Sequence, residues 1–204
     1  MKNLRAPLSY EDIADLRAGD IVMISGDIYT GRSGYFKKIF DEKVPFPLDP
    51  KKNNVMLHSG PIIGRDENGN FKPNAISITT SVRFNRWEPE NIARFGLRAI
   101  IAKGRVGKET RVAMQKYGCV HLCRTGTFAG PFALRITKIN DVHWLDLGLP
   151  EALWNFHFEE FGPLIVETDI LGNSVYDDVS LSVDGTVARC YRELGIESFQ
   201  FAEK

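Results

Sequence analysis

The sequence predicts a mixed α/β domain, and three observations carry that expectation. A β-branched run, Ile21-Val22-Met23-Ile24-Ser25-Gly26-Asp27-Ile28, reads as a strand early in the chain. Helical and strand-like periods then alternate: a helix over 89–95, a strand over 98–102, a helix over 108–116 and a strand over 119–123. Strand character returns over Leu134–Val142 and Asn155–Val166. Such alternation predicts a parallel, crossover-connected βα core with strand-rich, mixed sheet before and after it.

The remaining elements follow in order. Ser9 with Asp12 three residues on is a helix start, and Ile13 and Leu16 supply its apolar stripe. Arg17-Ala18-Gly19-Asp20 ends that helix. Residues 31 to 40 suit a short helix with Phe36, Ile39 and Phe40 inward. Val44–Pro50 holds three prolines and must be an extended loop. Val55–Ile63 and Ala75–Thr79 are strand candidates, and Asn68-Gly69 between them signals a hairpin. Asp177–Arg192 gives a last helix. No repeat, low-complexity tract or linker interrupts the chain, so residues 1–204 are expected to form a single domain.

Composition excludes several function classes. Lys plus Arg number 26 and Asp plus Glu 26, so no net field favours nucleic acid or an anionic membrane. No apolar segment approaches a membrane span, and the start Met1–Pro7 does not resemble a signal peptide. Three cysteines, an odd count, point to a reducing compartment, and cytoplasm is the simplest location. Cys119 and Cys123 lie in an apolar strand and Cys190 on the last helix, without metal-ligand spacing. They read as small buried hydrophobes, and no metal site is expected in this chain.

Three short segments place a cation beside small or hydroxylated residues at the end of an apolar run. They are Tyr29-Thr30-Gly31-Arg32, Thr79-Thr80-Ser81-Val82-Arg83 and Ala102-Lys103-Gly104. Arg grips a carboxylate with a planar fork, and Lys adds a compact point charge. Ligand sites of α/β sheets gather at the carboxyl ends of strands. Each segment has a bland reading, a surface arginine or a snorkelling lysine, but the recurrence of the pattern favours half of a site for a small dicarboxylic acid. His58, in Leu57-His58-Ser59-Gly60-Pro61, is a weaker candidate. Gly104-Arg105-Val106-Gly107-Lys108 resembles a phosphate loop but lacks its spacing.

These residues also carry a family resemblance. Leu16–Asp20, Ser25–Arg32, His58–Pro61, Thr79–Arg83, Ala102–Gly104, Val142–Trp144, Leu147-Gly148, Glu159–Val166 and Gly172-Asn173 occur in the order and approximate spacing of one group. The chain resembles the β subunit, or C-terminal domain, of iron–sulfur class I fumarases and L(+)-tartrate dehydratases. The stretch Val142–Asn173 is closer to the tartrate-dehydratase branch. The resemblance implies a swivelling β/β/α domain that closes over a [4Fe-4S] cluster held by a separate α subunit, in an assembly that can be a heterotetramer. It implies a hydro-lyase reversibly dehydrating a 2-hydroxy dicarboxylate, malate to fumarate or tartrate to oxaloacetate. Carried over residue by residue, Arg32 and Arg83 bind substrate carboxylates and Lys103 adds a third cation. Thr79 becomes the proton acceptor, with Thr80 beside it.

The chain departs from the family pattern at three places. Ser33-Gly34-Tyr35-Phe36 follows Arg32 where the family has Asp and then Ala-Ala-His. Ser77-Ile78 stands where Gly-Pro precedes the threonines, and Thr125–Pro131 replaces a Gly-Gly-Ala stretch. Two alternatives follow: a non-catalytic homologue that binds a diacid or a partner, and a hydratase for a C5 diacid such as mesaconate.

Overall fold

The computed structural model describes residues 1–124 and 129–196. Its centre is a seven-stranded sheet in the order β1-β2-β3-β6-β7-β9-β8, with an added β2–β9 pairing. These strands are β1 (Lys2–Arg5), β2 (Ile21–Thr30), β3 (Val55–Leu57), β6 (Ala99–Ala102), β7 (Val120–Cys123), β8 (Ile136–His143) and β9 (Leu153–Thr168). From β1 through β7 each neighbour is parallel. The long β9 runs antiparallel to β7 through its C-terminal end and to β2 along most of its length, so β2, β3, β6, β7 and β9 close into a ring. The alternating helix–strand run therefore does form a parallel layer. Every residue of β3, β6 and β7 is buried, as expected of strands covered on both faces.

The crossovers are α3 (Glu88–Phe95) and α4 (Lys108–Tyr117), within a residue of their expected limits. Each ends on a glycine in the left-handed region, Gly96 and Gly118, where a Cβ would be strained. The Ser9 signal is realised as a reciprocal capping pair: Ser9 N donates to Asp12 Oδ2 (2.7 Å) and Asp12 N to Ser9 Oγ (3.2 Å). The helix it opens, α1 (Glu11–Ala14), is shorter than the apolar stripe suggests. Residues 33–41 form α2 (Ser33–Phe36) and a wider turn over Lys37–Asp41, with Phe36, Ile39 and Phe40 buried as expected.

Several expectations need correction. The segment Val55–Ile63 is not one strand: β3 stops at Leu57, and β4 (Ile62–Arg65) starts after the Gly60-Pro61 break. The hairpin partner of β4 is β5 (Phe71–Ala75), ahead of the expected Ala75–Thr79. Residues 76–80 keep the alternation of buried Ile76 and Ile78, but their backbone groups pair elsewhere, as described below. β1 and the short α5 (Ala129–Ala133) were not foreseen. Residues 125–128 of the departure from the family pattern lie outside the described residues.

One core cluster runs through the domain, rich in aromatic side chains such as Trp154, Phe156, Phe158 and Phe161. The last helix, α6 (Val175–Glu193), begins at Ser174, whose hydroxyl accepts from Tyr176 N. The same hydroxyl donates to Glu167, which also accepts from Thr168 Oγ1 (2.8 Å) and lies 2.8 Å from His121 Nδ1. Burial pushes the Glu167 carboxyl up, but the hydrogen bonds and charge of His121, with Ser174 and Thr168, hold it below the usual range. Among the described residues no helix is long and apolar enough to cross a membrane.

Candidate active site

The parallel register of β2, β3 and β6 brings their C-terminal ends to one edge, and the next residues are Gly31-Arg32, His58–Gly60 and Lys103-Gly104. At that edge the chain from 78 to 81 wedges between the β3 and β6 exits. Thr79 N donates to His58 O (2.6 Å), Lys103 N donates to Thr79 O (3.1 Å) and Ser81 N donates to Lys103 O (3.1 Å). Thr80 bridges Lys103 in parallel fashion and Ile78 bridges Ser59 antiparallel. The threonines thus hang from backbone bonds to two core strands, which fixes them more firmly than a free loop could.

A 3₁₀ turn, Ser81–Phe84, follows. Phe84 is its anchor, buried against the rings of Phe36 and His58 at centroid distances of 4.8 Å each. That anchor turns Val82 and Arg83 outward. His58 itself does not reach the cleft. Its ring is fully buried, with Nε2 2.8 Å from Glu88 Oε1 at the start of α3. His58 supports the site through its backbone carbonyl, and its candidacy as a direct ligand group is withdrawn.

The result is one open cleft of about 230 Å³ lined by Arg32, Gly60, Ser77, Ile78, Thr79, Thr80, Arg83 and Lys103. All five residues singled out from the sequence line it. Of its three cations, only Arg32 has a carboxylate partner among the described residues: its Nε lies 3.4 Å from Glu151 Oε1. Arg83 and Lys103 face the cleft without an ion pair, so the cleft carries uncompensated positive charge beside two hydroxyls. Gly60 makes room for the arginine: a Cβ there would lie 2.9 Å from Arg32 Cδ and 2.8 Å from the Pro150 carbonyl.

Glu151 is the residue at this site that sequence reasoning missed. It follows Gly148-Leu149-Pro150 just before β9 and has no periodic or motif signal linking it to Arg32. Its Oε2 accepts from Gly34 N (2.8 Å), so it also ties down the start of α2.

The cysteines are elsewhere: Cys119 and Cys123 are buried as expected, whereas Cys190, on the last helix, is only half-buried. Burial pushes the Cys119 thiol well up and that of Cys123 to about 11, as expected of small side chains packed in the core. Among the described residues no group of three or more His, Cys, Asp or Glu could hold a metal ion. The described side chains therefore offer no ligand set for a [4Fe-4S] cluster.

Fold and cleft together define a mixed α/β domain with a cationic, hydroxyl-lined mouth at the carboxyl ends of parallel strands. The chain belongs to the Fumarase C-terminus family, whose sequence model matches residues 2–179. It is similar to a Geobacillus stearothermophilus protein named "Putative fumarate hydratase class I", at 36% identity over 179 residues. That match covers 88% of this chain but 34% of the relative, so the chain spans about a third of that protein's length. It is also similar to the L(+)-tartrate dehydratase subunit beta of Escherichia coli, 33% identical over 174 residues, covering 85% of this chain and 86% of the relative. A Methanocaldococcus jannaschii protein named "Putative L(+)-tartrate dehydratase subunit beta" is 37% identical over 182 residues, covering 86% and 91%.

Proposed function

We propose that this chain is the β subunit of a hydro-lyase that reversibly dehydrates a 2-hydroxy dicarboxylate, working with an α subunit that carries a [4Fe-4S] cluster. The observation that carries the proposal is the cleft itself: Arg32, Arg83 and Lys103 around Thr79 and Thr80, on strand ends of a domain of this family. Names of the relatives support a fumarate/malate or tartrate/oxaloacetate pair, and their subunit naming supports a separate α chain.

In this reading Arg32 grips one substrate carboxylate, while Arg83 and Lys103 take the other. Gripping both ends fixes the carbon between them against Thr79 and removes the entropy cost of finding that pose. Thr79 in its deprotonated form takes the proton from that carbon. The ammonium of Lys103 and the guanidinium of Arg83 lower the cost of its alkoxide. As the C–H electron pair becomes the C=C bond, the C–O bond breaks and hydroxide leaves on the face opposite Thr79. A cluster held by the α subunit would supply Lewis acidity toward that leaving group.

Replacing Arg83 by Ala in the assembled enzyme is expected to raise KM and lower kcat together, because a loose carboxylate misaligns the reacting carbon. Steady-state kinetics with malate and tartrate check this. Unchanged constants would remove Arg83 from the site.

A further inference from the structure

We infer that Glu151 is a positioning residue: it sets the Arg32 guanidinium for carboxylate recognition and so enforces the choice of a doubly charged over a singly charged substrate. The inference rests on the reading of the cleft as a dicarboxylate site.

The side chains of Arg32 and Glu151 meet at 26% and 28% exposure, with Arg32 Nε 3.4 Å from Glu151 Oε1. The ion pair is partly buried. Its worth lies in geometry. Arg32 Nε is buried without a hydrogen-bond partner among the described residues, and the Glu151 carboxylate 3.4 Å away is its nearest opposite charge, while the residue lines the cleft. The Arg32 side chain also packs against Gly60, where a Cβ would collide with it. The arginine is therefore held by both a glycine and a carboxylate.

The carboxylate is itself rigidly held. Glu151 N donates to Gly148 O (3.0 Å) and Ala152 N to the same carbonyl (2.9 Å). Trp154 Nε1 donates to Leu149 O (2.8 Å), and Trp154 N donates to Thr30 Oγ1 (3.0 Å) at the end of β2. Glu151 Oε2 accepts from Gly34 N at 2.8 Å. With Ser33 following Arg32, the carboxylate that holds the arginine comes from this distant loop.

Charge points the same way. Arg32, Arg83 and Lys103 with Glu151 leave a net charge of plus two, which matches a substrate with two carboxylates. Without Glu151 the fork is free to swing, so a diacid loses a well-placed carboxylate contact that its half-amide makes less use of.

The test compares Glu151→Gln and Glu151→Ala in the assembled enzyme, using a hydroxy diacid and its half-amide. We expect KM for the diacid to rise about 10- to 100-fold, with a smaller fall in kcat, and the diacid-to-half-amide preference to shrink about 10-fold. Added formate, filling the space left in Glu151→Ala, should recover part of that preference. The nearly isosteric Glu151→Gln keeps the comparison valid if the alanine variant folds poorly. A preference equal to wild type in Glu151→Gln, or loss of diacid and half-amide turnover by the same factor, overturns the positioning role. Arg32→Ala and Lys103→Ala are run beside them. If these two also leave diacid kinetics untouched, the dicarboxylate reading of the cleft is what has failed.

Discussion

Replacing Thr79 by Val is expected to lower kcat of the assembled enzyme by about 10²- to 10⁴-fold, the usual worth of a positioned proton acceptor. KM should change little, because the carboxylates are held by Arg32, Arg83 and Lys103 rather than by this hydroxyl. Valine preserves the branched shape, and the backbone bonds of residue 79 to His58 and Lys103 do not involve the side chain. The variant should therefore fold and bind while failing at proton transfer. Exchange of the substrate C–H with deuterium from solvent reads that step and should vanish with turnover. Thr80→Val is the control for local packing and should cost far less. A Thr79→Val enzyme within a few-fold of wild type would move the acceptor role elsewhere.

The largest expected effect on stability comes from Glu167→Ala, about 3–5 kcal/mol, measured by denaturant unfolding. Glu167 and His121 are fully buried, and the carboxylate joins the β7 residue His121 to Thr168 and to Ser174, which caps α6. Its loss strands all three groups. The pH dependence has a definite sign. Because the folded carboxyl titrates below its ordinary value of 4.5, its contribution is complete above that pH and fades as pH falls through the lower folded value. The stability gap between wild type and Glu167→Ala should narrow on acidification below about pH 4.5. A gap that stays constant or widens would show that the carboxylate is not held by these partners.

Much of this architecture is legible in the residues, for physical reasons that differ from place to place. Helices α3 and α4 and strands β6 and β7 announce themselves because they are short, strongly periodic and bounded by Gly or charge. The gathering of Arg32, Thr79, Thr80, Arg83 and Lys103 is legible because a core has no use for cations at the ends of apolar runs. β5 escapes notice because Phe71-Lys72-Pro73-Asn74-Ala75 carries a proline and little β-branching. The strand-like Ile76–Thr79 is misread because its alternation reflects burial alone, whereas its hydrogen bonds go singly to Ala129, Ser59, His58 and Lys103. Glu151 is invisible for a third reason. Its partner is far away in sequence, and a lone acid before a strand is ordinary punctuation.

The same contrast bears on the departures from the family pattern. The exchange of an acid for Ser33 suggests a poorly directed Arg32 when only neighbours in sequence are considered. In three dimensions the carboxylate of Glu151 and the bare face of Gly60 direct it. The altered segment is thus compatible with a working carboxylate clamp.

The cleft is proposed to be half of a catalytic site. Anaerobic co-purification of the chain with a cluster-bearing α subunit, followed by assay against a panel of C4 and C5 hydroxy diacids, tests that directly. The isolated chain should show no turnover, and the reconstituted complex should dehydrate at least one of malate, tartrate or a branched C5 homologue. A stable, cluster-loaded complex that is inert toward every member of the panel would contradict the account.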